Sequence, residues 1–537
     1  VVPGLIPSRG IYLTGEPVHV DVTGLEAAGI PAVLQVMELG VTVHAVGIHS
    51  CGTVEIGDLP CGSYGITLVS DGIPLARTAV QVVDAATRPA VHRYGFVVDY
   101  GADRDPATLA DIVRRLHLTD IQFYDWAYRH ADLLGGGERY DDALGNVVAL
   151  DTVRALVQSC HDVGARALGY AAVYAVGRQE WPRWESIALL DAMSRPYALG
   201  DFLNVVDPGD PTWIGHLSAD LARAVEAVGF DGFHLDQYGW PKSAMLPSGE
   251  RVDLAERFVA LIEALRAQLP QSRLVFNNVN DFPTWATSQT GQDAVYIEVW
   301  EPHTTLADLA DVVTRARAVG ADKPVVIAAY QQCYLVAPRE AADQATALTM
   351  ATLFSHGATH LLAGDAGRVL VDPYYVRNHS AEPATLDRLA RWHDFLVEHH
   401  CLLLDPEITD VTGSYAGSYN DDLDVVYPSA ATSGRPQPGT VWRRITRRGN
   451  WLIVHLINLS ATTDPRWDQP QPPSGVPGQG ELRLRLLGGP PPSVLVADPD
   501  GRGYLEPVPV ATDGCRATAA LPLLQTWQVV LVRYGDG

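Results

Sequence analysis

The chain has 537 residues, several times the ~100–200 of a usual domain, so two or three domains are expected, one of which can be an α/β barrel of ~250. At 47% hydrophobic and 19% charged residues, with no run of about 18 apolar positions, the composition excludes a disordered or membrane-spanning chain. A formal net charge of −24 repels phosphate backbones and anionic lipid head groups, which excludes nucleic acid and membrane surfaces as first partners and suits neutral or cationic ligands.

Residues 1–90 read as short strands (17–22, 33–39, 64–69, 79–83) between Gly, Pro and Asp turns, with no long helical period, which predicts a small β-sandwich. Within it Cys51 and Cys61 are close enough in SCGTVEIGDLPCGSYG for two neighbouring strands to bridge them, and both the bridged and the free state are open. The six cysteines form no CxxC and no Cys/His cluster, so no metal or other cofactor is expected. The opening VVPGLIPSRG has no basic stretch ahead of an apolar one, which leaves the compartment open.

From His92 the rhythm changes to apolar, β-rich runs alternating with Ala/Leu/Arg-rich amphipathic stretches. That is the pattern of repeated βα units. Strands are predicted over 94–100, 120–126, 165–174, 230–236, 273–280, 294–300, 324–331 and 359–365, and eight of them fit a (β/α)8 TIM barrel over 91–404. Helices are predicted over 106–116, 151–163, 254–269, 305–319 and 340–356. From 405 to 537 strands return (440–444, 451–459, 481–487, 493–497, 526–533), predicting a C-terminal β-sandwich in which the Pro/Gly-rich stretch 464–480 is a long loop.

A βα barrel places its chemistry where its strands end. Those ends read QFYDWAYRH (122–130), GFDGFHLDQYGW (229–240), FNNVND (276–281), VYIEVWEPH (295–303) and AGDAGRVLVDPYY (363–375). The period of two in the fourth strand turns Phe233 and Leu235 to the helices and His234 and Asp236 to the barrel axis. In the sixth it turns Val295, Ile297 and Val299 outward and Tyr296, Glu298 and Trp300 inward. Two carboxylates, Asp236 and Glu298, thereby enter one pocket from strands two apart, as glycoside hydrolysis requires. Glu301 is the alternative to Glu298. Asp125 has the wrong parity and reaches the mouth only if the chain turns after Tyr124.

Aromatic rings at strand ends suit pyranose faces, and asparagines suit hydroxyls. The substrate-binding set read from these positions is Asp125, Trp126, Tyr128, His130, His234, Tyr238, Asn277, Asn278, Trp300, Glu301, Tyr330, Asp365, Asp372 and Tyr374. His234 can equally be a packed interior histidine, or with Asp236 the start of a metal site that the other strand ends do not complete. Asp231, in its Phe-Asp-Gly turn, reads as structural.

QFYDWAYRH, GFDGFHLDQYG, FNNVN, VYIEVWEP and GRVLVDPYY, in this order along the barrel, resemble the signature blocks of glycoside hydrolase family 66, the dextranases and cycloisomaltooligosaccharide glucanotransferases. YLTGEPVHVDV (12–22) resembles the family's opening strand. The resemblance implies an immunoglobulin-like N-terminal β-sandwich, the barrel and a C-terminal sandwich, and a retaining hydrolysis of α-1,6-glucan such as dextran or isomaltooligosaccharides. Asp236 would be the nucleophile, Glu298 the acid/base and Asp125 a third acidic residue. It favours a secreted, extracellular enzyme over a cytoplasmic one. Cyclising members carry a family 35 carbohydrate-binding module inserted in the barrel, whereas here the longest gap between strands, 175–229, is too short for a ~120-residue module. Hydrolysis is therefore expected over cyclisation, with endo-cleavage the leading reading and transglycosylation on the same site an alternative. A hydrolase for another α-linked glycan and a non-catalytic carbohydrate-binding barrel are the remaining readings.

Overall fold

The computed structural model describes residues 2–25, 31–488 and 490–534. Its centre is an eight-stranded parallel sheet, ordered sequentially: β1 (Tyr94–Val97), β2 (Asp120–Phe123), β3 (Arg166–Ala172), β4 (Gly232–Asp236), β5 (Arg273–Val279), β6 (Ala294–Glu298), β7 (Val325–Ala328) and β8 (Ala358–His360). All eight predicted strands are present, most of them shorter than expected. The barrel is nearly closed: β8 and β1 share no ladder, and Thr359 Oγ1 crosses the seam to donate to His92 O at 3.0 Å.

The connecting helices are α1 (Ala107–Arg115), α2 (Leu150–Asp162), α3 (Pro211–Val228), α4 (Leu254–Gln268), α5 (Leu306–Gly320), α6 (Arg339–His356) and α7 (Pro383–Glu398). Local chemistry sets their ends. Asp210 accepts from the backbone of Thr212 and Trp213 ahead of α3, with Pro211 in the first turn, and Gly229 ends that helix in the left-handed conformation. Thr305 and Asp308 form a reciprocal capping box on α5. Where β4 and β5 come closest, Gly232 is required, because a Cβ there would meet the Arg273 carbonyl oxygen at 1.9 Å.

The N-terminal end of the barrel is plugged by a buried ionic cluster. Asp120 meets Arg166 Nε at 2.8 Å, His92 Nδ1 at 3.0 Å and Arg273 Nε at 3.1 Å. The nearby positive charge holds the Asp120 carboxyl well below the usual carboxylate range against the opposing effect of burial. Polar chemistry at that end is thus consumed by structure, and the opposite end is free to carry a site.

Before the barrel, a three-stranded sheet (Gly4–Pro7, Val18–Thr23, Gly52–Gly57) and a five-stranded sheet (Tyr12–Leu13, Ala32–Glu38, Val41–Ile48, Gly62–Ser70, Ile73–Val83) enclose a core of Val20, Val36, Ile66 and their neighbours. Cys51 and Cys61 are free thiols. Cys51 Sγ accepts from Leu25 N at 3.2 Å and Cys61 Sγ lies 3.0 Å from Thr14 Oγ1, so each thiol has its own partner and the bridge considered from spacing is not formed. After the barrel, a seven-stranded sheet centred on Thr440–Arg448, Trp451–Asn458 and Trp527–Arg533 and a four-stranded sheet beginning at Leu423–Val426 share a second core around Val454, Leu482 and Val530. Among the described residues no helix is long and apolar enough to cross a membrane.

Candidate active site

A cleft of about 280 Å³ opens at the C-terminal ends of the barrel strands. Asp236 closes β4 and Glu298 closes β6, and both side chains face it. Between them stands Asn277 of β5. Its Nδ2 donates to Asp236 Oδ1 at 2.7 Å and to Glu298 Oε2 at 2.8 Å, so the two carboxylate oxygens lie no more than about 5.5 Å apart, the two contacts laid end to end. Asp236 also accepts from Tyr170 Oη at 2.7 Å.

Burial raises both acids, but by different routes. Asp236 is pushed up to about 6 by desolvation, which the hydrogen bonds from Tyr170, Asn277 and the Gln237 backbone oppose. Glu298 is pushed to about 7 by desolvation and by the neighbouring Asp236 charge, opposed by hydrogen bonds from Asn277, Tyr330 and Trp300. Near neutrality the first is mostly ionised and the second can still hold its proton.

Asp125 reaches the cleft despite its parity. The strand stops at Phe123, Tyr100 Oη donates to Tyr124 O at 2.9 Å, and Asp125 adopts a left-handed backbone with φ 47°. Left-handed residues other than glycine are uncommon, with Asp among the tolerated ones, and here the conformation turns the carboxyl into the mouth. Burial and the charges of Asp142 and Asp236 push it up to about 8, so Asp125 is mainly a neutral acid at pH 7.

Of the remaining expected residues, His130, His234, Tyr238, Asn277, Trp300, Tyr330 and Tyr374 also line the cleft. His234 does so from its floor, with Nδ1 3.1 Å from Tyr94 Oη, and burial depresses it to about 3, leaving it a neutral ring. The others are elsewhere. Trp126 is fully buried against Phe230 and donates to Tyr170 O at 3.2 Å, because the early end of β2 turns its ring into the wall behind the site. Tyr128 packs edge-on against Tyr140 outside the cleft. Asn278 faces away from the axis and is occupied by Thr287 Oγ1 at 2.5 Å and Tyr296 O at 3.0 Å. Asp365 is buried in an ion pair with Arg104. Asp372 caps the Tyr374 backbone, and Glu301 is exposed beyond the strand, outside the cleft lining.

Two groups escaped the sequence reading, whereas Tyr375 is one of the strand-end aromatics it offered for sugar. Tyr170 and Gln122 have inward parity, and applying the period of two to β2 and β3 would have found them. Tyr375 stacks on Tyr124 with ring centroids 4.4 Å apart and bonds Tyr296 Oη at 3.2 Å. Leu199, Phe202 and Leu203 form one wall from a short hairpin between β3 and α3 (Ala198–Leu199 paired with Leu203–Val205), whose strands are too short to show a period. Among the described residues no group of three or more His, Cys, Asp and Glu side chains is gathered as a metal ion would need.

Comparison with known proteins bears out the resemblance read from the strand-end blocks. The sequence pattern of glycosyl hydrolase family 66 matches residues 68–531. A cycloisomaltooligosaccharide glucanotransferase of Niallia circulans is 24% identical over 340 residues, covering 58% of this chain and 34% of that protein. A dextranase of Streptococcus salivarius is 22% identical over 433 residues, covering 68% and 52%. The chain thus spans about a third to a half of the length of these relatives. The structure of a Paenibacillus sp. cycloisomaltooligosaccharide glucanotransferase complexed with cycloisomaltoheptaose superposes with a TM-score of 0.86 at 17% identity, over 99% of this chain and 100% of that one. The α-amylase of Geobacillus thermoleovorans superposes at 0.53 and 12% identity, over 84% and 99%. At such identities these structures speak for the fold alone. With the family pattern covering most of the chain, the protein belongs to glycosyl hydrolase family 66.

Proposed function

We propose that this protein is a retaining glycoside hydrolase that cleaves α-1,6-glucan chains internally, with Asp236 as nucleophile and Glu298 as acid/base. The observation that carries the reading is the single Asn277 nitrogen bonded to both carboxylates. It brings one oxygen of each carboxylate to within about 5.5 Å of the other, a closeness that suits a retaining pair (~5–5.5 Å between carboxyls) better than an inverting one (~6.5–9.5 Å). The substrate class follows from the dextranase and glucanotransferase relatives. A neutral polysaccharide needs no electrostatic steering, so the −24 charge of the chain is compatible with it.

In the first step ionised Asp236 attacks the anomeric carbon while Glu298 gives its proton to the departing glycosidic oxygen. A covalent glycosyl-enzyme and a shortened chain with a free hydroxyl result. In the second, Glu298, now ionised, takes a proton from water as the water oxygen displaces Asp236, which restores both carboxyls. Asp125, neutral at pH 7, donates a hydrogen bond to the bound sugar, and Trp300, Tyr330 and Tyr374 offer ring faces and hydroxyls to it. The β-layers before and after the barrel fit an immunoglobulin-like sandwich and a C-terminal sandwich that brace it.

Incubation with dextran, isomaltooligosaccharides and other α-glucans, with products resolved by size over time, tests the substrate and the mode. A rapid fall in dextran size with a spread of intermediate oligosaccharides supports internal hydrolysis. Early cyclic or elongated products would replace it with transglycosylation, and binding without any release would mean a non-catalytic barrel.

A further inference from the structure

We infer that Trp467, on the Pro/Gly-rich segment that follows the barrel by about sixty residues, is a positioning residue for the carboxyl of Glu298. The inference rests on the reading of Glu298 as the acid/base.

The segment 464–480 has no regular structure of its own, yet its first third is bonded to the barrel. Trp467 N donates to Thr304 O at 3.1 Å and Trp467 Nε1 to His303 O at 2.8 Å. Leu306 N donates back to Pro465 O at 3.0 Å, and Thr305 pairs with Arg466 in an antiparallel bridge. These bonds fix the chain immediately after Trp300. The same tryptophan reaches the next loop: its carbonyl lies 3.3 Å from Thr349 Oγ1 on α6, which accepts from Gln331 Nε2 at 3.3 Å, and Gln331 follows Tyr330. Gln471 N, donating to Ala341 O at 3.1 Å, anchors the far end of the stretch on α6.

Trp300 and Tyr330 line the cleft together with Glu298, and their rings pack with centroids 5.5 Å apart. The loop after Trp300 is therefore held by the indole and backbone of Trp467, and the Tyr330 loop reaches the Trp467 carbonyl through Gln331 and Thr349; Trp467 is only 7% exposed. A loop held at these points keeps water away from Glu298. A loop released from those bonds admits solvent, which stabilises the ionised carboxylate. A packing role alone would lower stability without touching the protonation of Glu298.

The test is Trp467→Phe in the full chain, which keeps a ring in place and removes the indole N–H. Carbon-13 glutamate NMR follows the Glu298 carboxyl through a pH titration, the signal being assigned by its loss in Glu298→Gln. The Glu298 midpoint in Trp467→Phe is expected at lower pH than in the unaltered protein, with the alkaline limb of the rate profile moving the same way. On dextran, kcat should fall by about fivefold with KM nearly unchanged, since small misplacement of a reacting group costs rate more than binding. Thr349→Val, which removes the hydroxyl that joins Trp467 to Gln331 along with its bond to Ala345 O, should move the midpoint in the same direction and serves if Trp467→Phe does not fold. A Glu298 midpoint identical to that of the unaltered protein in the folded variant overturns the inference. The titration uses no substrate, so inactivity of the unaltered protein on dextran would overturn the α-1,6-glucan reading and leave this one standing.

Discussion

Asp236 and Glu298 accept hydrogen bonds from one and the same atom, Asn277 Nδ2, at 2.7 and 2.8 Å. The amide spaces the two carboxyls, lowers both from the values that burial alone would give, and is aimed by its place on β5 between the strands that carry them. Losing it would leave both acids with less to oppose desolvation. Asn277→Ala is therefore expected to shift both limbs of the pH–rate profile to higher pH and to lower kcat by roughly 10²-fold, as a pH series of initial rates would show.

The pH dependence of the unaltered protein follows from the same two groups. Below about 6 Asp236 gains a proton and loses its nucleophilicity, and above about 7 Glu298 loses the proton it must donate. A bell with its maximum between these values is expected for kcat/KM. Because the carboxyls interact, the two limbs belong to the pair.

Three raised carboxyls in one cleft oppose folding once the solution is neutral. Asp125, Asp236 and Glu298 all bind a proton more tightly folded than unfolded. Their unfavourable contribution is absent below about pH 4, grows as pH rises through the unfolded values, and is complete above about pH 8. Asp236→Asn should accordingly be more stable than the unaltered protein at pH 8, by about 1–3 kcal/mol, with little or no gain at pH 4, as denaturant melts at the two pH values would record.

Trp126 and Tyr374 both come from strand-end motifs, and they should behave in opposite ways. Trp126, fully buried against Phe230, is expected to cost about 3–5 kcal/mol when truncated to Ala. Tyr374 lines the cleft and packs under the Arg377 guanidinium, so Tyr374→Ala should leave the melting temperature nearly unchanged and raise KM several-fold. Paired thermal melts and substrate saturation curves separate the two.

Asp365 offers a similar contrast. It is buried in its pair with Arg104, and removing one partner strands the other charge. Asp365→Ala should destabilise by about 3–5 kcal/mol without a change in KM.

What could be read from the sequence was whatever obeys a period. Alternation along β4 and β6 put His234, Asp236, Tyr296 and Glu298 on the barrel axis, and the structure has them there because those strands run straight to their last residue. Alternation misled where a strand stops early. Beyond Phe123 the left-handed Asp125 swaps the sides on which Asp125 and Trp126 were expected, and parity has no term for that turn. Asp365 and Asn278 were misread for a different reason, since their partners Arg104 and Thr287 are contacts that only the folded chain brings together. The wall of Leu199, Phe202 and Leu203 lies on a hairpin too short to show a period, and the docking of Trp467 in a segment with no regular structure.

The central claim is a double displacement at Asp236, and the configuration of the first product tests it most directly. Proton NMR of an α-1,6-glucan digest, recorded before mutarotation, should show the newly formed reducing ends as the α-anomer. Initial release of the β-anomer would contradict the account.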